Sequence, residues 1–143
     1  MINFRDFEIS DLDRIAEIME SSLIDPLSKS YLEKIQDSES FIVAIEKEKV
    51  VGYIIGKTKN NLGKIISLAV QKDFRKKGVG TKLLISLTKR FKRSGVKKIF
   101  LRTRTWNKKA VDFYKNLGFK IVKEIKNYYK NGDDAFLMEK MDD

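Results

Sequence analysis

From position 75 to position 81 the chain reads Arg-Lys-Lys-Gly-Val-Gly-Thr, a set of residues suited to holding a diphosphate. The stretch before it, Lys64 to Gln71, is apolar and partly β-branched, as a buried strand should be. The stretch after it spaces Val79, Leu83, Leu87 and Phe91 four apart with Leu84 beside them, which is one face of a helix. A strand, a basic turn with two glycines and a helix N-terminus then follow one another. The first turn of a helix has amides without intrahelical partners and a partial positive charge, and glycines let an anion approach that backbone. Arg75, Lys76 and Lys77 add full charges. A basic turn that only caps a helix would use the same residues.

Two related phosphate motifs do not fit. A P-loop needs Gly-x-x-x-x-Gly-Lys-Ser/Thr, whereas here Thr81 directly follows Gly80. A dinucleotide fingerprint needs a third glycine where the chain has Leu83. What remains is Arg-x-x-Gly-x-Gly after a strand. The chain has no cysteine, so a thiolate nucleophile, a thiolate metal site and disulfides are excluded. It has no histidine either, which removes the commonest general base and most zinc chemistry, and no metal site is expected. Catalysis must therefore use carboxylates, tyrosines, backbone groups and water.

At 143 residues the chain fits one domain, 1–143, and can bury about two-thirds of its unfolded surface. Hydrophobic residues make up 42% and there is one proline, which suits an ordered globule. No stretch approaches the roughly 20 apolar residues of a membrane span. The charged N-terminus does not read as a signal peptide, so a cytoplasmic location is expected. The net charge is +10, from 30 basic and 20 acidic residues. Its distribution is uneven, with eleven Lys or Arg and one acid, Asp73, between Lys72 and Lys98. Such a segment attracts a polyanion, whether nucleic acid, ribosome or a phosphate-rich cofactor. A solvated lysine-rich helix face accounts for it equally well.

The elements that position the basic turn can be read along the chain. Ile2 to Phe7 alternates as a strand. Ser10 then opens a helix as N-cap, with Asp13 at the capping-box position and Leu12, Ile15 and Met19 facing inward. Asp25-Pro26 breaks the chain, and Ser28 starts a short helix to about Gln36. Phe41 to Glu46 and Val50 to Lys57 are strands joined by Lys47-Glu48-Lys49, and Asn60 to Gly63 is a second turn. After the glycine turn and its helix, Gly95 is a C-cap and Lys97 to Arg104 a strand. Asn107 caps a helix bearing Ala110, Val111, Tyr114 and Leu117, which Gly118 ends. Phe119 to Ile125, the turn Asn131-Gly132-Asp133 and Ala135 to Glu139 complete the chain. The order is β-α-α-β-β-β-α-β-α-β-β, an α/β fold with a mixed sheet and helices on both faces.

Arg75-x-x-Gly78-x-Gly80 resembles the acetyl-coenzyme A loop of the GNAT N-acetyltransferases, and this order of elements is that family's. Ser67-Leu68-Ala69-Val70 stands where the family's fourth strand meets the pantetheine arm. Asn107-x-x-Ala110-x-x-x-Tyr114-x-x-x-Gly118-Phe119 is similar to a second family block. Asn127-Tyr128-Tyr129, with Gly132, Ala135 and Met138 after it, resembles the end of RimI-like and archaeal N-α-acetyltransferases. The resemblance implies acetyl-CoA as cofactor and a site residue by residue. At Leu68, Ala69 and Val70 the cofactor's pantetheine would lie along the strand, with the amides of Leu68 and Val70 hydrogen-bonding it and helping to place the acetyl carbonyl. Arg75, Lys76, Lys77, Gly78, Val79, Gly80 and Thr81 would hold the pyrophosphate, and Asn107 would reach the cofactor. Tyr114 would protonate the leaving thiolate, although it also lies on its helix's buried stripe, where packing alone explains it. Tyr128 and Tyr129 would border the acceptor, although paired tyrosines are also common strand residues.

One residue departs from the family pattern. Bacterial relatives place a glutamate near the end of the fifth strand as base, and some relatives a histidine; this chain has Arg102, which is no base. Some archaeal and eukaryotic relatives use an acid between the first two helices, where Asp25 stands, also readable as a turn residue before Pro26. A protein α-amine titrates near about 8, so roughly a tenth is neutral at pH 7, whereas a lysine amine is about 2.5 units worse. A site without an evident strong base therefore suits an α-amine. The expected activity is acetyl transfer to protein N-termini by direct attack in a ternary complex. The alternatives are a small-amine or polyamine acetyltransferase, a lysine acetyltransferase and a noncatalytic basic module docking on RNA or ribosome. The expected partners are a peptide or protein N-terminus and, through the basic segment, the ribosome, with no membrane and with a monomer or homodimer.

Overall fold

A computed structural model describes residues 1–23, 25–35 and 40–141. The strands and helices occur in the expected order, β-α-α-β-β-β-α-β-α-β-β, with parallel and antiparallel pairs both present. Contacts group the chain into two compact units, 1–57 with 65–94 and 58–64 with 95–143. Among the described residues no helix is long and apolar enough to cross a membrane.

The first unit is built on β1 (Asn3–Asp6), β2 (Ser40–Glu46) and β3 (Lys49–Lys59, through residue 57), each antiparallel to the next. β2 and β3 are joined at Lys47 and Glu48, whose φ angles of 50° and 67° make a tight left-handed turn without glycine. Two helices, α1 (Leu12–Ser22) and α2 (Lys29–Ile35), cover one face. There Ile15, Ile18, Met19 and Leu32 pack with Phe7, Phe41, Val43, Tyr53 and Ile55, and the Phe7 and Phe41 rings stack at 4.1 Å. The opposite parity of β3 meets α3 (Val79–Arg93), whose Leu83, Leu87 and Phe91 are fully buried. A Cβ on Gly56 would lie 2.6 Å from Phe91 Cζ and 2.8 Å from Leu87 Cδ2. Helix and strand are close there because that glycine has no side chain.

The entry to α1 differs from the sequence reading. Ser10 is not its N-cap; it lies within a 3-10 turn, Ile9–Asp11, that precedes the helix. The anchor is Asp11, whose Oδ2 accepts from the Glu8 amide at 2.9 Å. Its two oxygens also accept from Arg5 at 2.8 and 3.0 Å. Asp11 thereby ties the 3-10 turn to β1 through a charge-assisted pair, while its side chain makes no cap bond to α1 itself. At α2 the expected start holds, with Ser28 Oγ accepting from the Tyr31 amide at 3.2 Å, while Gln36 lies outside the described residues.

In the second unit the start of β4 (Leu62–Val70) runs parallel to β5 (Lys98–Arg104), pairing Leu62 with Lys98 and Lys64 with Phe100. β7 (Ala135–Met141) lies antiparallel to β5 and reaches two residues beyond the expected Glu139; β6 (Lys120–Ile125) pairs with its other edge. On β5, Ile99, Leu101 and Thr103 are buried on one face, and Phe100, Arg102 and Arg104 are half-buried on the other. α4 (Lys108–Asn116) begins at Asn107, whose Oδ1 accepts from the Ala110 amide at 3.3 Å. Gly118 follows with φ 97°, left-handed backbone in which a side chain would be strained.

Candidate functional site

The sequence-predicted residues fall in both units. In the first unit the basic turn runs from a second 3-10 turn, Lys72–Phe74, to α3. Lys76 and Gly78 have φ angles of 63° and 81°, so the backbone is left-handed twice before the helix begins. A Cβ built on Gly78 meets nothing within 4 Å, so glycine is there for its backbone conformation and leaves open space outside it. The first bond of α3 runs from the Lys82 amide to the Gly78 carbonyl at 3.0 Å. The amides of Val79, Gly80 and Thr81 lie ahead of that bond, in the turn where helix geometry leaves donors for an anion. Lys77 Nζ sits 5.5 Å over the Phe74 ring, and Lys76 is exposed beside it. These donors and charges fit a diphosphate.

Arg75 is engaged with the protein. Its Nε donates to the Val70 carbonyl at 2.8 Å and its Nη2 to Ser22 Oγ at 3.0 Å. It thereby ties the turn to the end of β4 and to the last turn of α1. The other end of the turn is held as firmly. The Gln71 amide donates to the Val51 carbonyl at 2.7 Å, Arg14 Nε donates to the Val50 carbonyl at 3.0 Å, and Arg14 Nη2 donates to Gln71 Oε1. Arg14, Ser22 and Gln71 had no signal in the sequence, because each meets its partner through the fold.

Ala69 is buried on β4, with Leu68 and Val70 half-buried on either side. Gly52 of β3 backs this segment, since a Cβ there would lie 3.1 Å from the Ala69 carbonyl oxygen. Tyr53 is fully buried and its hydroxyl hydrogen-bonds Ser67 Oγ at 2.8 Å. Burial pushes the Tyr53 phenol far above its ordinary pKa, and the Ser67 hydrogen bond offsets this only in part. Tyr53 therefore stays protonated and is no base. Asp25 is exposed, in the segment between α1 and α2.

In the second unit Tyr114 is buried on α4 at 8% exposure, with edge contacts to Phe113 at 5.1 Å and Phe119 at 5.6 Å. Asn107 spends its carbonyl oxygen on the α4 cap, so its amide nitrogen is the part left to meet another group. Tyr128 and Tyr129 lie in the loop between β6 and β7 and not on a strand, with rings 5.0 Å apart and nearly perpendicular. Asp133 organises this loop: its Oδ2 accepts from Arg104 Nε at 2.9 Å, Trp106 Nε1 at 3.0 Å and Asn131 Nδ2 at 2.9 Å. The Trp106, Asn131 and Arg104 hydrogen bonds hold its carboxyl below the ordinary range against a smaller effect of burial. Arg104 in turn lies 3.8 Å over the Tyr129 ring. Arg102, two residues earlier on β5, has its guanidinium 5.3 Å from the Tyr128 ring centre.

Residues 9–119 match the family model described as Acetyltransferase (GNAT) family. An N-alpha-acetyltransferase of Sulfurisphaera tokodaii is 34% identical, over 94% of this chain and 89% of that protein. One of Sulfolobus acidocaldarius is 35% identical, over 91% of this chain and 86% of its own length. Among solved structures, Ard1 from Thermoplasma volcanium superposes with a TM-score of 0.93 at 28% identity, covering 98% of this chain and 97% of its own.

Proposed function

Because the chain belongs to the GNAT acetyltransferase family, we propose that it transfers acetyl from acetyl-CoA to the α-amine of a protein or peptide N-terminus. The observation that carries this reading is the strand, basic turn and helix of residues 64–81, together with relatives named for that reaction along nearly their whole length. Acetyl-CoA supplies an acetyl group activated as a thioester. The amides of Val79, Gly80 and Thr81, with Lys76 and Lys77, hold its pyrophosphate, and Arg75 keeps the turn in the shape that does so. Leu68, Ala69 and Val70 offer backbone groups to the pantetheine arm, and Asn107 offers its amide nitrogen.

Tyr114 Oη delivers the proton that the departing thiolate takes up, since a phenol with an ordinary pKa of about 10 is protonated at neutral pH. The acceptor enters as the neutral amine and loses its second proton to solvent or, through a water, to Asp25. Arg102 cannot take it. Tyr128 and Tyr129 border the acceptor peptide. The reaction is cytoplasmic, and the basic residues from Lys72 to Lys98 bring the enzyme to ribosomal RNA, where N-termini emerge.

Initial rates with acetyl-CoA on three acceptors test the reading: a lysine-free peptide with a free N-terminus, an N-terminally blocked peptide with one lysine, and spermidine. Acetylation of the first is expected to exceed the other two by at least tenfold. Faster transfer to the blocked lysine peptide or to spermidine would move the enzyme to one of the alternative acceptor classes.

A further inference from the structure

Among the described residues of the second unit, cations outnumber acids. Its described acids are Asp112, Glu124, Asp133, Asp134 and Glu139. Each already pairs with another cation. Asp112 pairs with Lys108, Glu124 and Asp134 with Lys126, Asp133 with Arg104, and Glu139 with Lys98. Arg102 pairs with none of them. Lys97, Lys109, Lys115, Lys120, Lys123 and Lys130 are exposed and can be hydrated in full. Arg102 is only half-exposed, and its Nε is buried without a hydrogen-bond partner among the described residues.

The surroundings of Arg102 do not satisfy it. The guanidinium lies near two rings, 5.6 Å from the centre of Phe100 and 5.3 Å from the centre of Tyr128. Ring faces attract the charge, but they do not replace the hydrogen bond that its Nε lacks. Its direct neighbour across the sheet is Leu137, which offers no side-chain acceptor. A buried donor left unsatisfied is costly, and the planar fork of a guanidinium matches a planar anion. The ring on one side belongs to Tyr128, the residue assigned above to border the acceptor.

We infer that Arg102 is a receptor for a carboxylate, the side chain of an aspartate or glutamate at the first or second residue of the acceptor. This rests on the α-amine reading of the preceding subsection. Near a free N-terminus, Asp and Glu side chains are the anionic groups an unmodified peptide offers, and their planar oxygens match the guanidinium fork. The residue that replaces a base in this chain then serves to choose the acceptor.

Four peptide pairs test this, differing only as Asp against Asn or Glu against Gln, at residue one or residue two, in an otherwise uncharged lysine-free sequence. The readout is the ratio of kcat/KM within each pair, measured in one enzyme preparation so that the fraction of folded enzyme cancels. The wild type should favour the acidic member by about tenfold at one of the two positions, mainly through KM, as a charge-assisted hydrogen bond provides. Arg102→Gln should bring that ratio to about one, and Arg102→Lys, which keeps the charge but not the fork, to an intermediate value. Equal rates within every pair for the wild type, or a ratio that survives in Arg102→Gln, would overturn the assignment and leave the α-amine reading intact. A wild type that acetylates none of these peptides but does acetylate a blocked lysine peptide would overturn both.

Discussion

Replacing Arg75 by lysine separates two roles that this residue can have in the proposed cofactor loop. Lysine keeps the charge but loses the pair of bonds that hold Val70 and Ser22 together, at 2.8 and 3.0 Å. Each bond contributes on the order of 0.5–1.5 kcal/mol, and exposure places such a residue toward the low end. Together they hold the loop by about 1–2 kcal/mol. If an unheld turn must be reordered each time the diphosphate binds, acetyl-CoA affinity should fall by roughly 5- to 30-fold, at about 1.4 kcal/mol per tenfold. Arg75→Ala should fall about as far, because both variants lose the tether. Isothermal titration of acetyl-CoA into wild type and both variants at fixed ionic strength measures this. A lysine variant that binds like wild type while the alanine variant binds weakly would refute the tether and return Arg75 to a purely electrostatic role.

Three further outcomes are expected. Tyr114→Phe keeps the ring contacts with Phe113 and Phe119 and removes only the hydroxyl, so kcat should drop by roughly 100-fold with acetyl-CoA binding little changed; a kcat within twofold of wild type would make Tyr114 a packing residue. Gly80→Val places a branched side chain in the first turn of α3 and should weaken acetyl-CoA by at least about tenfold, which calorimetry on the folded variant checks. Burial acts to raise the Asp11 carboxyl, but hydrogen bonds from Arg5 and the Glu8 amide outweigh it and hold the group below its ordinary value. Its contribution is therefore present above the unfolded pKa of about 4 and is lost as pH falls through the lower folded value. Asp11→Asn should cost about 1–2 kcal/mol in urea unfolding at pH 7 and progressively less below pH 4; a cost that stays constant with pH would show that the ion pair contributes nothing.

The backbone plan was legible because its signals are local. The four-residue spacing of Val79, Leu83, Leu87 and Phe91 marks a buried helix face, and all four are buried. Asn107 and Ser28 act as caps where the sequence places them, since a cap needs only its own next turn. Ser10 failed as a cap because the chain enters α1 through a 3-10 turn that Asp11 ties to the Glu8 amide and to Arg5 on β1, a partner that no local pattern announces. The same limit applies at the site. The Arg-x-x-Gly-x-Gly spacing suggests a phosphate loop, but does not announce that Arg75 bonds Val70 and Ser22, the latter 53 positions away. The Arg14 link to Gln71 and the Tyr53 link to Ser67 span 57 and 14 positions and carry no motif. Tyr128 and Tyr129 lie beyond the strand that the sequence ends at Ile125, in a loop where Asp133 accepts from Arg104, Trp106 and Asn131, contacts that no motif announces.

The central claim, that the acceptor is an α-amine chosen without a strong base, is tested most directly by one peptide that carries both kinds of amine. Tandem mass spectrometry of a short peptide with a free N-terminus and an internal lysine, taken at low conversion and pH 7, locates the acetyl group on one nitrogen or the other. The difference of about 2.5 pKa units favours the neutral α-amine by roughly 300-fold before any contact with the enzyme. The account predicts acetyl on the N-terminal nitrogen in at least about 99 of 100 products. Acetyl found mainly on the lysine side chain would contradict it.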